Sequence, residues 1–417
     1  MFSKIFRASV DVFKMTLCGL ALFASTGQPS SAQAKGYWHT QGNQILDENF
    51  HPLRIAGVNW YGFETRDGIP HGLTQQDYRS IIGSIKSAGF NVIRLPYSNE
   101  IVESPVVPTK IAYSNSGGKI NQELRNLNSL QIMDRIVDAA GELGLHIILD
   151  NHRSDVGDGP QQTGLWYTQR YPESSWIADW QMLAHRYKAR LTKSGDAIVI
   201  GADLRNEPHS VAGGGSCWTG DPARSGCPPS NTAQNWTSAA IRAGNAILFE
   251  NSNLLIFVEG TDCYADDCTF WGSNLQGVRN SKVILTEPDR LVYSAHDYGP
   301  AEYRHAWFNA STTPISLADT WTKYWAFLVR DNTAPVWLGE FGTSSKPSDA
   351  LDQTPGSQGQ WFSSLIDFLT AHNSIHWSYW ALNGEDRYGL LTRDYSHLID
   401  SEAFRQQALA RLLNSSN

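Results

Sequence analysis

The sequence predicts an α/β chain whose eight parallel strands close into a single (β/α)8 barrel, and three observations predict it. Eight apolar, β-branched runs recur along the chain, amphipathic helical stretches separate most of them, and nearly every run ends in polar or aromatic side chains. Near-continuous apolar strands alternating with helices read as buried parallel strands. Eight is the number that closes such a barrel, whose active sites lie on the rim formed by the carboxyl ends of the strands. A doubly wound open sheet is the alternative. It needs a glycine-rich phosphate loop after the first strand, and "GVNWYGFET" contains no G-x-G-x-x-G.

The strands are read at "IAGVNW" (55–60), "NVIRLPY" (91–97), "HIILDNH" (146–152), "IVIGADLRNEP" (198–208), "LLIFVEG" (254–260), "RLVYSAHDY" (290–298), "PVWLGEFG" (335–342) and "IHWSYWALN" (375–383). Helical periodicity fills 75–89, 126–144 and 236–250, and Gly89 and Gly144 stand where a helix-ending glycine belongs. No repeat, heptad run or long Pro/Ser/Thr linker interrupts 35–417, so one domain is expected there.

Residues 1–34 read differently. Lys4, Arg7 and Lys14 precede the apolar run "MTLCGLALFA", and "SAQA" ends at Ala34. That is the pattern of a secretory signal peptide cleaved near Ala34. The run is shorter than the roughly 20 apolar residues a membrane span needs. A lipid anchor on Cys18 would want a small residue where Leu17 stands. The mature chain is therefore expected outside the cell (or in the periplasm), with no membrane attachment, as a monomer. It carries 30 basic and 40 acidic residues and no basic run, which disfavours nucleic acid as a partner.

Four cysteines follow the leader: Cys217, Cys227, Cys263 and Cys268. In an exported chain they favour disulfides. Of three possible pairings, the short local loops favour Cys217–Cys227 and Cys263–Cys268. No C-x2-C pair exists for a thiolate zinc site, and no H-x-H or H-E-x-x-H appears. No metal and no cofactor are expected.

The rim collects Asn59, Trp60, Arg94, His152, Asn206, Glu207, Glu259, His296, Tyr298, Glu340 and Trp380. Two carboxylates on one rim, Glu207 after the fourth strand and Glu340 ending the seventh, suit cleavage of a glycosidic bond. One protonates the departing oxygen while the other attacks the anomeric carbon or activates water. Their environments must differ, so that one holds its proton and the other stays ionised. Arg94 and Tyr298 are placed to keep Glu340 ionised, Asn206 to bond a sugar 2-hydroxyl, and His152 and His296 to add donors and acceptors. Glu259, Asp150 and Asp203 are read as bracing residues. Strands four and seven face each other across the mouth, so a carboxyl separation of roughly 5–5.5 Å, that of a retaining enzyme, is expected.

Seven ordered motifs carry a resemblance: "GVNWYGFET", "IRLPYS", "LDNHR", "RNEPH", "YSAHDY", "WLGEFG" and "WSYWALN". Together they resemble glycoside hydrolase family 5, specifically its bacterial endo-β-1,4-glucanases, from about Gly57 to about Gly389. The resemblance implies a (β/α)8 barrel, Glu207 as acid/base and Glu340 as nucleophile, supported by Arg94, His152, Asn206, His296, Tyr298 and Trp380. The substrate it implies is a β-1,4-glucan or cello-oligosaccharide. A β-mannanase, a mixed-linkage glucanase and a non-catalytic carbohydrate-binding barrel are the alternatives. Since sugar faces lie well on indoles, Trp60, Trp218, Trp271 and Trp380, with Asn59, are the expected substrate-binding residues. The sequence leaves open whether loops 102–118 and 209–231 wall the cleft.

Overall fold

The computed structural model describes residues 35–399 and 404–415. The expected leader, 1–34, lies outside the described residues. All eight expected strands form, as β1 (Ala56–Asn59), β2 (Val92–Ser98), β3 (His146–Arg153), β4 (Val199–Asp203), β5 (Leu255–Glu259), β6 (Leu291–His296), β7 (Val336–Glu340) and β8 (Ile375–Tyr379). Each pairs in parallel with its neighbours, and β8 returns to β1 through Trp377–Ala56, so the sheet is closed and has no edge.

Local sequence sets the helices around it. In α1 (Tyr78–Ser87) the Asp77 side chain accepts the Arg79 N–H, and Gly89 follows at φ 94°. In α2 (Ser129–Glu142) Asn128 and Gln131 satisfy each other's backbone N–H groups as a capping box, and Gly144 follows at φ 65°. After these come α3 (Glu173–Tyr187), α4 (Trp236–Glu250), α5 (Pro314–Trp321), α6 (Gln358–Ala371) and α7 (Phe404–Asn414). One crossover departs from the pattern. After β5 there are only two short turns of helix, Gln276–Arg279 and Pro288–Arg290, and the rest of that connection is largely loop.

The barrel interior is apolar below and charged above. Tyr37, Trp38 and Ile45 join Val92, Ile148, Ile200, Phe257 and Trp337 in one buried cluster at the amino ends of the strands. A small antiparallel sheet of His39–Gln41, Gln44–Leu46 and Pro52–Leu53 accompanies it there. Side chains two apart on a strand share a face. Arg94 therefore follows Val92, Asp150 follows Ile148 and Glu259 follows Phe257 into the interior, one layer nearer the rim. The Arg94 guanidinium sits 5.8 Å from the Trp337 ring, where the two layers meet.

Both expected disulfides are present, Cys217–Cys227 and Cys263–Cys268. The first lies in the β4–α4 connection and the second in the loop after β5.

Candidate active site

Arg94 is the hub. It is not at a strand end, as the sequence suggested, but third in β2 and fully buried. Its Nε donates to Asp203 Oδ2 at 2.9 Å and its Nη1 to Asn59 Oδ1 at 3.0 Å and Glu340 Oε1 at 2.6 Å. Its Nη2 donates to Asn206 Oδ1 at 2.9 Å and lies 3.2 Å from Asp150 Oδ1. A guanidinium presents five N–H donors in a fixed fork, so a single side chain can register four strands at once.

Glu340 ends β7, and its second oxygen accepts the Tyr298 hydroxyl at 2.8 Å. Glu207 follows β4 at φ 50°, a left-handed conformation that a non-glycine residue adopts only when held there. Part of the hold is Glu259, whose Oε2 accepts the Glu207 N–H at 2.8 Å. The bracing role read for Glu259 is thus met by a specific bond. His296, paired in register with Glu340, puts Nδ1 3.1 Å from Glu207 Oε1 and 3.7 Å from Glu340 Oε2. Its Nε2 lies 3.2 Å from Glu259 Oε1. One oxygen of Glu207 and one of Glu340 lie within 4.8 Å of each other.

The two carboxyls are in opposite electrostatic settings. Burial pushes Glu207 up to about 7, with the nearby Glu340 charge acting in the same direction against the pull of His296. Burial also opposes ionisation of Glu340, but the charges of His296 and Arg94, with the Tyr298 hydrogen bond, outweigh it and hold Glu340 below its ordinary range. His296 itself is raised well above the usual histidine value: desolvation opposes its charge, and the carboxylates of Glu259 and Glu340 overcome that. His152 goes the other way. Burial lowers it, so the neutral ring donates from Nδ1 to Asp150 Oδ2 at 2.7 Å. Two carboxyl groups pushed apart in this way mark a proton donor beside an ionised partner.

A model of the cellulase family, glycosyl hydrolase family 5, matches residues 47–386. The chain belongs to glycosyl hydrolase family 5. It is 40% identical over 404 residues to an endoglucanase of Paenibacillus polymyxa, covering 95% of this chain and 93% of the relative. It is 31% identical to the major extracellular endoglucanase of Xanthomonas campestris pv. campestris, covering 94% of this chain and 73% of that one. The endocellulase of Pyrococcus horikoshii, solved in complex with cellotetraose, superposes with a TM-score of 0.76 at 31% identity, over 91% of this chain and 100% of that one. Family membership makes the chain a glycoside hydrolase of the endoglucanase class.

The cleft of this family 5 endoglucanase has a volume of about 700 Å³, and His152, Asn206, Glu207, Tyr298, Glu340 and Trp380 all open into it. The sequence therefore located its floor. Trp380 lies near-parallel to the Tyr61 ring at 5.4 Å and to His152 at 5.6 Å, and its Nε1 donates to Asp386. Trp271 is 38% exposed and also lines the cleft. Both indoles line the cleft.

Three expected substrate contacts are corrected. Trp60 is completely buried, with its Nε1 donating to the His71 carbonyl. Trp218 is completely buried against Gly277, where even a Cβ would come within 2.3 Å of the indole, and donates to the Ser281 carbonyl. Asn59 is buried too, and its amide is spent on the Gly339 and Tyr379 carbonyls and on Arg94. These three brace the barrel top and do not line the cleft. The structure decides the walls of the cleft. Neither 102–118 nor 209–231 contributes to the cleft lining, which instead uses Phe270 from the β5 loop, Glu302, Tyr303 and His305 from the β6 loop, and Arg387 and Tyr388 after β8. Arg387 and Glu302 pair across the two loops. The aromatic density of "CTFWG" and "AEYRHAWF" was the available signal.

Glu207, His296 and Glu340 are close enough together to be considered as metal ligands. The donor chemistry argues otherwise. Glu340 already accepts from a guanidinium and a phenol, and a protonated His296 has no lone pair for a metal.

Proposed function

We propose that this chain is a secreted, retaining endo-β-1,4-glucanase in which Glu340 is the nucleophile and Glu207 the acid/base. The observation that carries the reading is the split between the two carboxyls: within 4.8 Å, one is raised to about 7 and the other is held low. A short separation leaves no space for a water between the second carboxylate, Glu340, and the anomeric carbon, and suits direct attack.

In the first step the Glu340 carboxylate attacks the anomeric carbon from below the ring while the glycosidic C–O bond breaks. The Glu207 proton passes to the leaving oxygen, giving a shortened chain and a β-linked-to-α-ester exchange at the anomeric centre. In the second step Glu207, now ionised, takes a proton from water. The oxygen of that water displaces Glu340 and restores the β-configuration. Asn206 commits its Oδ1 to Arg94, which leaves its NH2 to donate to the sugar 2-hydroxyl as charge develops. Trp380 carries the sugar on the glycone side and Trp271 a sugar of the leaving group.

Export through residues 1–34 belongs to the same proposal. Two disulfides suit an oxidising compartment, and the Xanthomonas relative is named as extracellular. No helix of the described residues is long and apolar enough to cross a membrane. The test is reducing-end release on carboxymethyl cellulose, glucomannan and xylan side by side, with proton NMR of the first products from a cello-oligosaccharide. β-anomer first, on the glucan, is expected. Early α-anomer would overturn the retaining mechanism, and faster release from glucomannan would overturn the substrate.

A further inference from the structure

The sequence motif that opens the acid/base loop, "RNEPH", ends in a histidine to which the reaction as described gives no part. His209 is 1% exposed. Its Nδ1 lies 2.7 Å from the carbonyl oxygen of Glu207. A carbonyl has no proton to give, so the ring is the donor. The other side of the contact is Trp271: the imidazole and indole stack at 3.8 Å between ring centres with 5° between their planes. One buried side chain thus touches both the backbone of the acid/base residue and the aromatic face on the leaving-group side.

The surrounding bonds make this a rigid connection. The next residue, Ser210, binds Asp262 twice, through its N–H at 2.8 Å and its hydroxyl at 2.7 Å. The Glu207 N–H is held by Glu259. Residues 207, 209 and 210 are therefore all tied to β5 and the loop that follows it. The His209 backbone is anchored on its far side, by its own N–H to the Gly164 carbonyl and by the Ser216 N–H to its carbonyl. Glu207 sits at φ 50°, where the backbone must be restrained from both of its peptide groups. Glu259 restrains the N–H, and His209 restrains the carbonyl. Without the second restraint the Glu207 carbonyl loses its partner and its peptide plane can tilt within the limits that Pro208 sets, shifting the carboxyl with it. A displacement of about 1 Å at a reacting group is enough to cost roughly a hundredfold in rate.

We propose that His209 is a positioning residue that joins the leaving-group sugar's platform, Trp271, to the aim of the Glu207 carboxyl, so that occupation of the one steadies the other. This rests on the acid/base reading of Glu207. It predicts an effect that depends on the leaving group, which a residue that merely fills space would not produce.

The experiment compares His209→Phe, which keeps the stack and loses the donor, with His209→Asn, which keeps an amide donor near Nδ1 and loses the ring. Each is assayed on cellopentaose, whose leaving sugar needs a proton, and on 2,4-dinitrophenyl β-cellobioside, whose leaving group does not. The ratio of the two kcat/KM values on one preparation is independent of the folded fraction, so a poorly folding variant still gives an answer. His209→Phe is expected to lose roughly 10- to 100-fold on cellopentaose, a part of the roughly 100- to 10,000-fold that a general acid contributes, and to keep the aryl rate within about threefold. His209→Asn is expected to raise KM for cellopentaose more than it lowers kcat. Equal losses of His209→Phe on both substrates would overturn the inference. Glu207→Ala, run alongside, separates the two readings. If Glu207→Ala shows the leaving-group dependence and His209→Phe does not, only the role of His209 falls; if Glu207→Ala lacks it, the acid/base assignment falls first.

Discussion

Arg94 Nη1 donates to Glu340 Oε1 across 2.6 Å inside a barrel layer where both side chains are nearly shut off from solvent. The pair matters because the arginine is shared. Asp150, Asp203 and Glu259 also lean on it; burial with repulsion from Glu340 pushes Asp150 up to about 7, and burial with repulsion from Asp150 does the same to Asp203. Replacing the fork by a point charge, in Arg94→Lys, keeps the sign and loses the geometry. Expected are a loss of roughly a hundredfold in kcat/KM, comparable to removing one preorganised donor, and an upward move of the acidic limb of the pH profile. An unchanged acidic limb would show that Arg94 does not set the ionisation of Glu340.

Glu340→Ala should abolish hydrolysis of cello-oligosaccharides. Added azide or formate is expected to restore part of the turnover on an activated aryl cellobioside, because a small anion fits the space of the missing carboxylate. The rescued product should carry the inverted, α-configuration, read by NMR of the glycosyl azide. Near-native activity without added anion would remove Glu340 from the role of nucleophile.

His296 faces both acids, and its charge favours the ionised form of each. The bell-shaped profile of kcat/KM has an acidic limb from Glu340 losing its proton and a basic limb from Glu207 losing its own. Removing the positive charge in His296→Gln makes both groups bind their protons more tightly. Both limbs should move to higher pH, the basic one from a starting point near 7. A shift of the two limbs in opposite directions would contradict this arrangement.

Trp60 and Trp380 are both tryptophans at strand ends, and the structure separates them. Trp60→Ala opens a cavity in a closed core and should cost about 3–5 kcal/mol of stability in denaturant titration. Trp380→Ala removes a cleft face and should lower kcat/KM on cellotetraose by roughly tenfold, equivalent to about 1.4 kcal/mol, with a much smaller change in stability. The reverse pattern would restore Trp60 as a sugar platform.

Dialysis against EDTA should leave activity unchanged, since the only three-ligand cluster among the described residues is already committed to Arg94, Tyr298 and an internal histidine. Loss on chelation with recovery on one divalent cation would make the Glu207–His296–Glu340 cluster a metal site.

What the sequence by itself determined is whatever depends on neighbours along the chain. Strand and helix periodicity placed β1 to β8, Gly89 and Gly144 marked two helix ends, and local spacing paired Cys217 with Cys227 and Cys263 with Cys268. The two carboxylates were legible for the same reason, since a strand's last residue and the loop after it must lie on the rim of a parallel barrel. Only the tertiary structure decided which rim residues face the cleft. Trp60 and Trp218 satisfy every sequence criterion met by Trp271 and Trp380, yet they are buried with their Nε1 groups on the carbonyls of His71 and Ser281, and Asn59 is buried with its amide on the carbonyls of β7 and β8. The opposite ionisation of Glu207 and Glu340 is decided there too. A carboxyl's proton affinity depends on burial and on charges within a few ångströms, and here those charges come from Arg94 in β2 and His296 in β6, as far as 246 residues away in sequence.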